Sequence, residues 1–234
     1  YNAEIVAAPD DVIRVPRKVH RFFSYKERDT SHPDFVNWEV LQKNSESFNS
    51  AKPFRYAFVK GFFKKDFYEK LHKTFPKLDD TWFKNNDYRR SAKTLYFQEK
   101  GEYEDPKPIP SINKEWNLVK EIINSKEFIE KFSAFTGISF SNIYQSGFFA
   151  NTKGDFQLPH IDEEGEYQFK LQNMFYFSKN WQENDPGGTY LCTEEDESSR
   201  FFEPYDLDNT FVCFEETLSS WHGTRYITKD NVCP

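Results

Sequence analysis

Of the five histidines in this 234-residue chain, His160 stands in the run LPHIDEEG with a carboxylate, Asp162, two positions further on. On a strand, residues two apart project from the same face, and a small register step at the strand end lets both reach one point. A third ligand is offered by the other late histidine, His222, in SSWHGTRYI. Two imidazoles and one carboxylate on one face of a metal leave the opposite positions open, an arrangement suited to non-haem Fe(II) and oxygen chemistry. Neutral nitrogen and hard oxygen donors hold Fe(II) without the thiolates that select zinc or clusters. An isolated HxD also fits a surface or hydrogen-bonded core histidine. His20, His32 and His72 keep that plainer reading, because they fall in an irregular stretch or on a helix.

The elements that must position these residues follow from periodicity. Residues 1–53 are polar and punctuated by Pro9, Pro16, Pro33 and Pro53, which reads as an extended N-terminal arm. FRYAFVKGFF is a short β-prone run. KKDFYEKLHKTFP then sets Phe67, Leu71 and Phe75 at helical spacing until Pro76. A second helical block, NKEWNLVKEIINSKEFIEKFSAFTG, puts Trp116, Val119, Ile122 and Ile123, then Ile129, Phe132 and Phe135, on apolar faces, with Gly137 as its stop. After Gly137 the period changes to strand-like runs, SNIYQSGFFA, DFQLPHID, KLQNMFYF, GGTYLCT, NTFVCFE and SSWHGTRYI, separated by turn residues. Helices first and short strands afterwards predict helices packed on an antiparallel double sheet or jelly roll.

Composition excludes several classes. Aromatics make up 19% of the chain, with 26 Phe, too much core-forming side chain for a disordered segment. No apolar run approaches the ~20 residues that span a bilayer, so no membrane partner is expected. The net charge of −7 and the short, scattered basic pairs Arg17-Lys18, Lys64-Lys65 and Arg89-Arg90 argue against nucleic acid. Cys192, Cys213 and Cys233 are odd in number and lack metal-type spacing, so the expectation is reduced thiols in a cytoplasmic protein. Met174 is the sole methionine, and a leader before Tyr1 stays open in this reading.

Five motifs stand in a fixed order: PHID, MFYFSKNW, GGTY, NTFVCFE and SWHGT. In that order, from about Tyr144 onwards, the chain resembles the Fe(II)/2-oxoglutarate-dependent oxygenase superfamily, in particular its prolyl-4-hydroxylase-like branch. The resemblance implies an α+β fold, a double-stranded β-helix (jelly roll) with N-terminal helices packed on the major sheet. Residues 54–234 would form a single oxygenase domain, with helical support at 54–137 and a jelly-roll core at 138–234. It makes His160, Asp162 and His222 the iron ligands, with no further catalytic residue. Tyr176, and more weakly Tyr144, would touch the distal carboxylate of 2-oxoglutarate, although Tyr176 also fits an ordinary core aromatic.

The family's anchoring Arg or Lys, on the strand after the distal histidine, has no counterpart at its usual place, where position 232 is Val. Arg225 and Lys229 are the nearby cations. The first falls on the opposite face of a regular strand and the second in the polar turn TKDN, so the anchor is expected just beyond Pro234. Arg225 is instead a candidate for a substrate carboxylate.

The resemblance further implies Fe(II), 2-oxoglutarate as cosubstrate and O2, with ascorbate as an additional expectation. The products would be succinate, CO2 and a substrate hydroxylated at an unactivated C–H bond. A peptidyl or protein proline ranks above a free amino acid or other small metabolite as substrate. The acidic runs DEEGE and EEDESS read either as solvated loops or as an attraction for a basic peptide. A cupin-like metal enzyme that does not use 2-oxoglutarate, and a non-catalytic interaction module, are the competing classes.

Overall fold

The computed structural model describes residues 35–96, 112–141, 143, 146–162 and 170–229. The first half holds α1 (Trp38–Lys43), α2 (Ser45–Ser50), β1 (Tyr56–Lys60), α3 (Lys65–Lys73), β2 (Phe83–Asn86), β3 (Arg90–Tyr96), α4 (Lys114–Ile123) and α5 (Lys126–Thr136). The second half holds β4 (Gly147–Ala150), β5 (Phe156–His160), β6 (Leu171–Phe177), β7 (Thr189–Cys192), β8 (Arg200–Phe202), β9 (Asp208–Glu215) and β10 (His222–Thr224).

Local chemistry explains the helix limits. The block expected as one helical stretch breaks at Ser125, whose hydroxyl donates to the Ile122 carbonyl at 2.7 Å and accepts from the Phe128 N–H at 3.2 Å. One serine thus closes α4 and caps α5. α5 then ends at Gly137, whose φ of 66° is the left-handed cap that glycine adopts without strain. The expectation of an extended arm through residue 53 is corrected for residues 35–53. Two helices of six residues each stand there, because Leu41 and Phe48 are driven into the core and Ser45 donates to the Phe135 carbonyl at 2.7 Å. The earlier part of that arm lies outside the described residues.

Two antiparallel sheets result. The smaller has the order β1-β9-β6, and the larger runs β2-β3-β5-β10-β7-β8 with β4 paired to β3. Alternation along the smaller sheet divides its side chains between two apolar cores. Ala57, Val59, Phe211 and Cys213 pack among the helices, where Phe132 and Phe175 meet Phe211 at 5.8 and 4.9 Å between ring centres. Tyr56, Phe58, Met174, Tyr176, Val212 and Phe214 face the other way, onto Leu191, Phe201 and Phe202 of the larger sheet. The chain is therefore a mixed fold of helices and antiparallel sheets, and its functional face is the one that Val212 and Phe214 share. Among the described residues no helix is long and apolar enough to cross a membrane.

Candidate metal centre

The site begins with strand pairing. β10 lies between β5 and β7, with His222 directly opposite His160 on one side and Leu191 on the other. Next to it, Gly223 passes so close to β5 that a Cβ there would lie 2.4 Å from the Gln157 carbonyl oxygen and 2.5 Å from the Tyr190 hydroxyl. Only glycine lets the strand seat at that depth. Beyond it the register slips, so that Thr224 faces Gln157. The imidazole rings of His160 and His222 end 4.2 Å apart, with Phe214 packed against His222 at 4.8 Å.

Both rings are turned the same way. His160 Nδ1 lies 2.9 Å from the Leu158 carbonyl and His222 Nδ1 lies 3.0 Å from the Ser220 carbonyl. Carbonyls only accept, so each Nδ1 carries the proton and each Nε2 keeps its lone pair. Those two Nε2 atoms lie 3.5 Å from the two oxygens of Asp162, one each, and the three candidate ligand atoms fall within 4.8 Å of one another. Among the described residues this is the one such group of metal-binding side chains.

A second ring of contacts holds the carboxylate. The Gln172 amide donates to Asp162 Oδ2 at 2.6 Å. The Asp162 backbone N–H donates to Glu216 Oε1 at 3.1 Å, and the Ser220 hydroxyl donates to the same oxygen at 3.2 Å. Burial by itself would raise the Asp162 carboxyl, but the two histidines, which donate to it and bring positive charge when their Nε2 atoms are protonated, outweigh burial and hold it far below the usual carboxylate range. Burial would likewise lower His222, and the Asp162 carboxylate outweighs that and raises it. Burial raises Glu216, whose Oε2 is enclosed without a hydrogen-bond partner among the described residues. A divalent cation suits this donor set: one ionised carboxylate, two oriented imidazole lone pairs and no thiolate.

The other residues singled out by sequence are placed as follows. Tyr176 faces the larger sheet, and its hydroxyl accepts from the Thr189 N–H at 2.9 Å. Tyr144 lies outside the described residues. Arg225 gives its Nε to both Glu203 oxygens, at 2.8 and 2.9 Å, and a terminal nitrogen to the Asn184 carbonyl at 2.9 Å. Lys229 pairs with Asp185 and sits 5.0 Å above the Trp181 ring. In EEDESS, Asp196 accepts from the Ser198 N–H and Glu197 pairs with Arg200, so part of that charge serves the loop itself.

Sequence reasoning passed over Gln157, Gln172 and Glu216. Gln172 had a usable signal, since it shares strand parity with Met174 and Tyr176 and so must face the same interior. Gln157 matters because its amide lies 2.9 Å from His160 Nε2, where it donates to the lone pair that a metal would take.

Neither a family model nor a curated protein sequence matches the chain. Solved structures do. A Pseudomonas putida prolyl-4-hydroxylase superimposes with a TM-score of 0.55 at 9% identity, covering 84% of this chain and 94% of that one. An oxidoreductase of the 2OG-Fe(II) oxygenase family from Burkholderia pseudomallei gives 0.56 at 10% identity, covering 86% and 89%. At such identities the likeness is one of fold, and it agrees with the motif order read from the sequence. The chain has the fold of the prolyl-4-hydroxylase-like 2OG-Fe(II) oxygenases.

Proposed function

We propose that this protein is an Fe(II)- and 2-oxoglutarate-dependent dioxygenase that hydroxylates an unactivated C–H bond. The observation that carries the reading is the convergence of two proton-fixed imidazoles and one carboxylate on a single point, in a fold shared with such oxygenases. His160, Asp162 and His222 would hold the iron, which together with 2-oxoglutarate and O2 supplies the oxidising chemistry that protein side chains lack. Ascorbate would serve as an auxiliary reductant.

The chain's own part is positional. Gln172 fixes the Asp162 carboxylate, the Leu158 and Ser220 carbonyls fix the rings, and the apolar wall of Phe214 and Met174 limits water. Tyr176 would offer its phenol to the far carboxylate of 2-oxoglutarate, with Tyr144 as a further candidate, whereas Arg225, expected from sequence to meet a substrate carboxylate, is already engaged by Glu203 and the Asn184 carbonyl. The sheet orders β9-β6 and β5-β10-β7-β8 support the double-stranded β-helix reading. The apolar core that joins helices to both sheets supports one oxygenase domain over 54–234. A prolyl residue of a peptide or protein is the proposed substrate, in line with the prolyl-4-hydroxylase among the structural neighbours. Buried, unpaired thiols at Cys192 and Cys213 support a cytoplasmic setting.

Anaerobic titration with Fe(II), with and without 2-oxoglutarate, tests the activity class. The expected result is a weak visible charge-transfer band that needs both additions and disappears in His222→Ala. Iron binding without any band would remove 2-oxoglutarate and bring a cupin-like metal enzyme to the front.

A further inference from the structure

Beside the metal ligands the larger sheet carries cationic groups that the proposed activity leaves unused. Arg89, Arg90, Gln157, His160 and Asp162 line one small cavity, floored by the apolar residues that flank the metal motif. Arg90 pairs directly across from Gln157 where β3 meets β5, so both side chains leave the sheet on the same face. The Gln157 amide in turn touches His160 Nε2. Arg90 is half-buried, and among the described residues no hydrogen bond or ion pair engages its guanidinium.

The turn that presents these arginines is preset. Asp87 Oδ1 accepts from the backbone N–H groups of Arg89 and Arg90 at 2.7 and 3.0 Å, and the Leu158 N–H donates to the Arg89 carbonyl at 2.8 Å. Arg89 is braced against the exposed Tyr88, to whose hydroxyl it donates at 2.9 Å. A held turn that presents two guanidinium groups beside the candidate metal site, that of Arg90 unengaged among the described residues, suits an anion, and the planar fork of arginine matches a carboxylate. Tyr176, proposed for the cosubstrate, does not line this cavity. The arginines therefore serve the other ligand.

We propose that Arg90, supported by Arg89, is an anion subsite for the substrate, which carries a carboxylate close to the bond that is hydroxylated. The inference rests on the proposed function. It inverts the charge preference that the acidic loops suggest. The carboxylate comes either from an acidic side chain in a peptide or from a free carboxylic acid.

Two matched pairs of probes, titrated by ligand-observed NMR into the full chain, distinguish these sources. They are acetyl-Gly-Pro-Glu-amide against acetyl-Gly-Pro-Gln-amide, and N-acetylproline against N-acetylprolinamide. Each is run on the metal-free protein and on the anaerobic Fe(II)/2-oxoglutarate form. The acid of at least one pair is expected to bind about tenfold tighter than its amide. Arg90→Gln is expected to abolish that preference, and Arg90→Lys to keep part of it, while both retain the charge-transfer band and the melting temperature. Preference in the peptide pair assigns an acidic side chain, and preference in the acylproline pair assigns a free acid. The proposal is overturned by equal binding of acid and amide in both pairs, or by a preference that survives Arg90→Gln. It is also overturned if Arg90→Gln loses the band that the wild type shows, since the arginine would then anchor 2-oxoglutarate. Absence of the band in the wild type counts against the oxygenase reading alone, and the metal-free titration then decides the subsite.

Discussion

Gln172 would act on a bound metal only through Asp162, and its hydrogen bond of 2.6 Å is the shortest restraint on that carboxylate from outside the triad among the described residues. Replacing it by Leu keeps the volume and removes the donor. Losing a hydrogen bond that orients a ligating carboxylate weakens metal affinity about 10- to 100-fold. An Fe(II) titration of Gln172→Leu is expected to show that drop with an unchanged melting temperature, and equal affinity would show that Asp162 needs no orienting partner. The candidate ligands were legible in sequence as a group because their types and spacing are chemically specific, and the structure brings the three side chains together. Gln172 was legible only as far as its strand parity, which turns it to the interior; the Asp162 carboxylate it meets there comes from another part of the chain and leaves no mark in the local sequence. Arg225 shows the limit from the other side. Its closeness to His222 in sequence was visible, but not the Glu203 carboxylate that now engages it from a separate strand.

At the scale of elements, the helices with long periodic faces and the strands bounded by turn residues were read correctly in kind. The misses share one cause: elements too short or too polar to show a period. α1 and α2 have six residues each, joined at Asn44, and each buries a single side chain fully, Leu41 and Phe48. The β2–β3 hairpin is mostly polar, and the Asp87 side chain that caps its turn is its clearest local cue. Gly223 is the element-scale counterpart of a ligand, since it sets how deeply β10 seats. Ala at 223 would place a methyl inside backbone contact distance of β5, at a cost of about 1–3 kcal/mol from overpacking. Gly223→Ala is expected to lower the melting temperature and to weaken iron binding together. Iron affinity left at the wild-type value would show that the strand can shift without moving His222.

For the whole molecule, the outer end of the larger sheet is held by a buried ionic knot. Asp155, almost fully enclosed, accepts from Ser91 at 2.7 Å, from the Thr152 N–H at 2.6 Å and from the Thr152 hydroxyl at 2.9 Å, and it pairs with Lys93. Burial would raise its carboxyl, but the bonds from Lys93, Thr152 and Ser91 prevail and leave it below the ordinary value. A carboxyl depressed on folding stabilises the native state above the unfolded value of about 3.9 and loses that contribution as pH falls through the folded value. Thermal stability is therefore expected to fall on acidification below about pH 4. Asp155→Asn should cost about 3–5 kcal/mol near neutrality by stranding Lys93, and the gap to wild type should narrow as pH drops. A gap independent of pH would assign the knot a packing role only.

The position of β10 has a consequence for how the protein is made. It is the last strand of the described chain, yet it belongs in the middle of the larger sheet, between β5 and β7. Until it arrives, that sheet exists as two unjoined halves with bare inner edges, and His160 and Asp162 lack the third candidate ligand. During synthesis from the N-terminus, the residues of the helical core emerge well before the last of the three candidate ligands, His222. Closing the sheet and bringing the three candidate ligands together are one event, so a chain that has not yet seated β10 has no complete donor set to offer a metal.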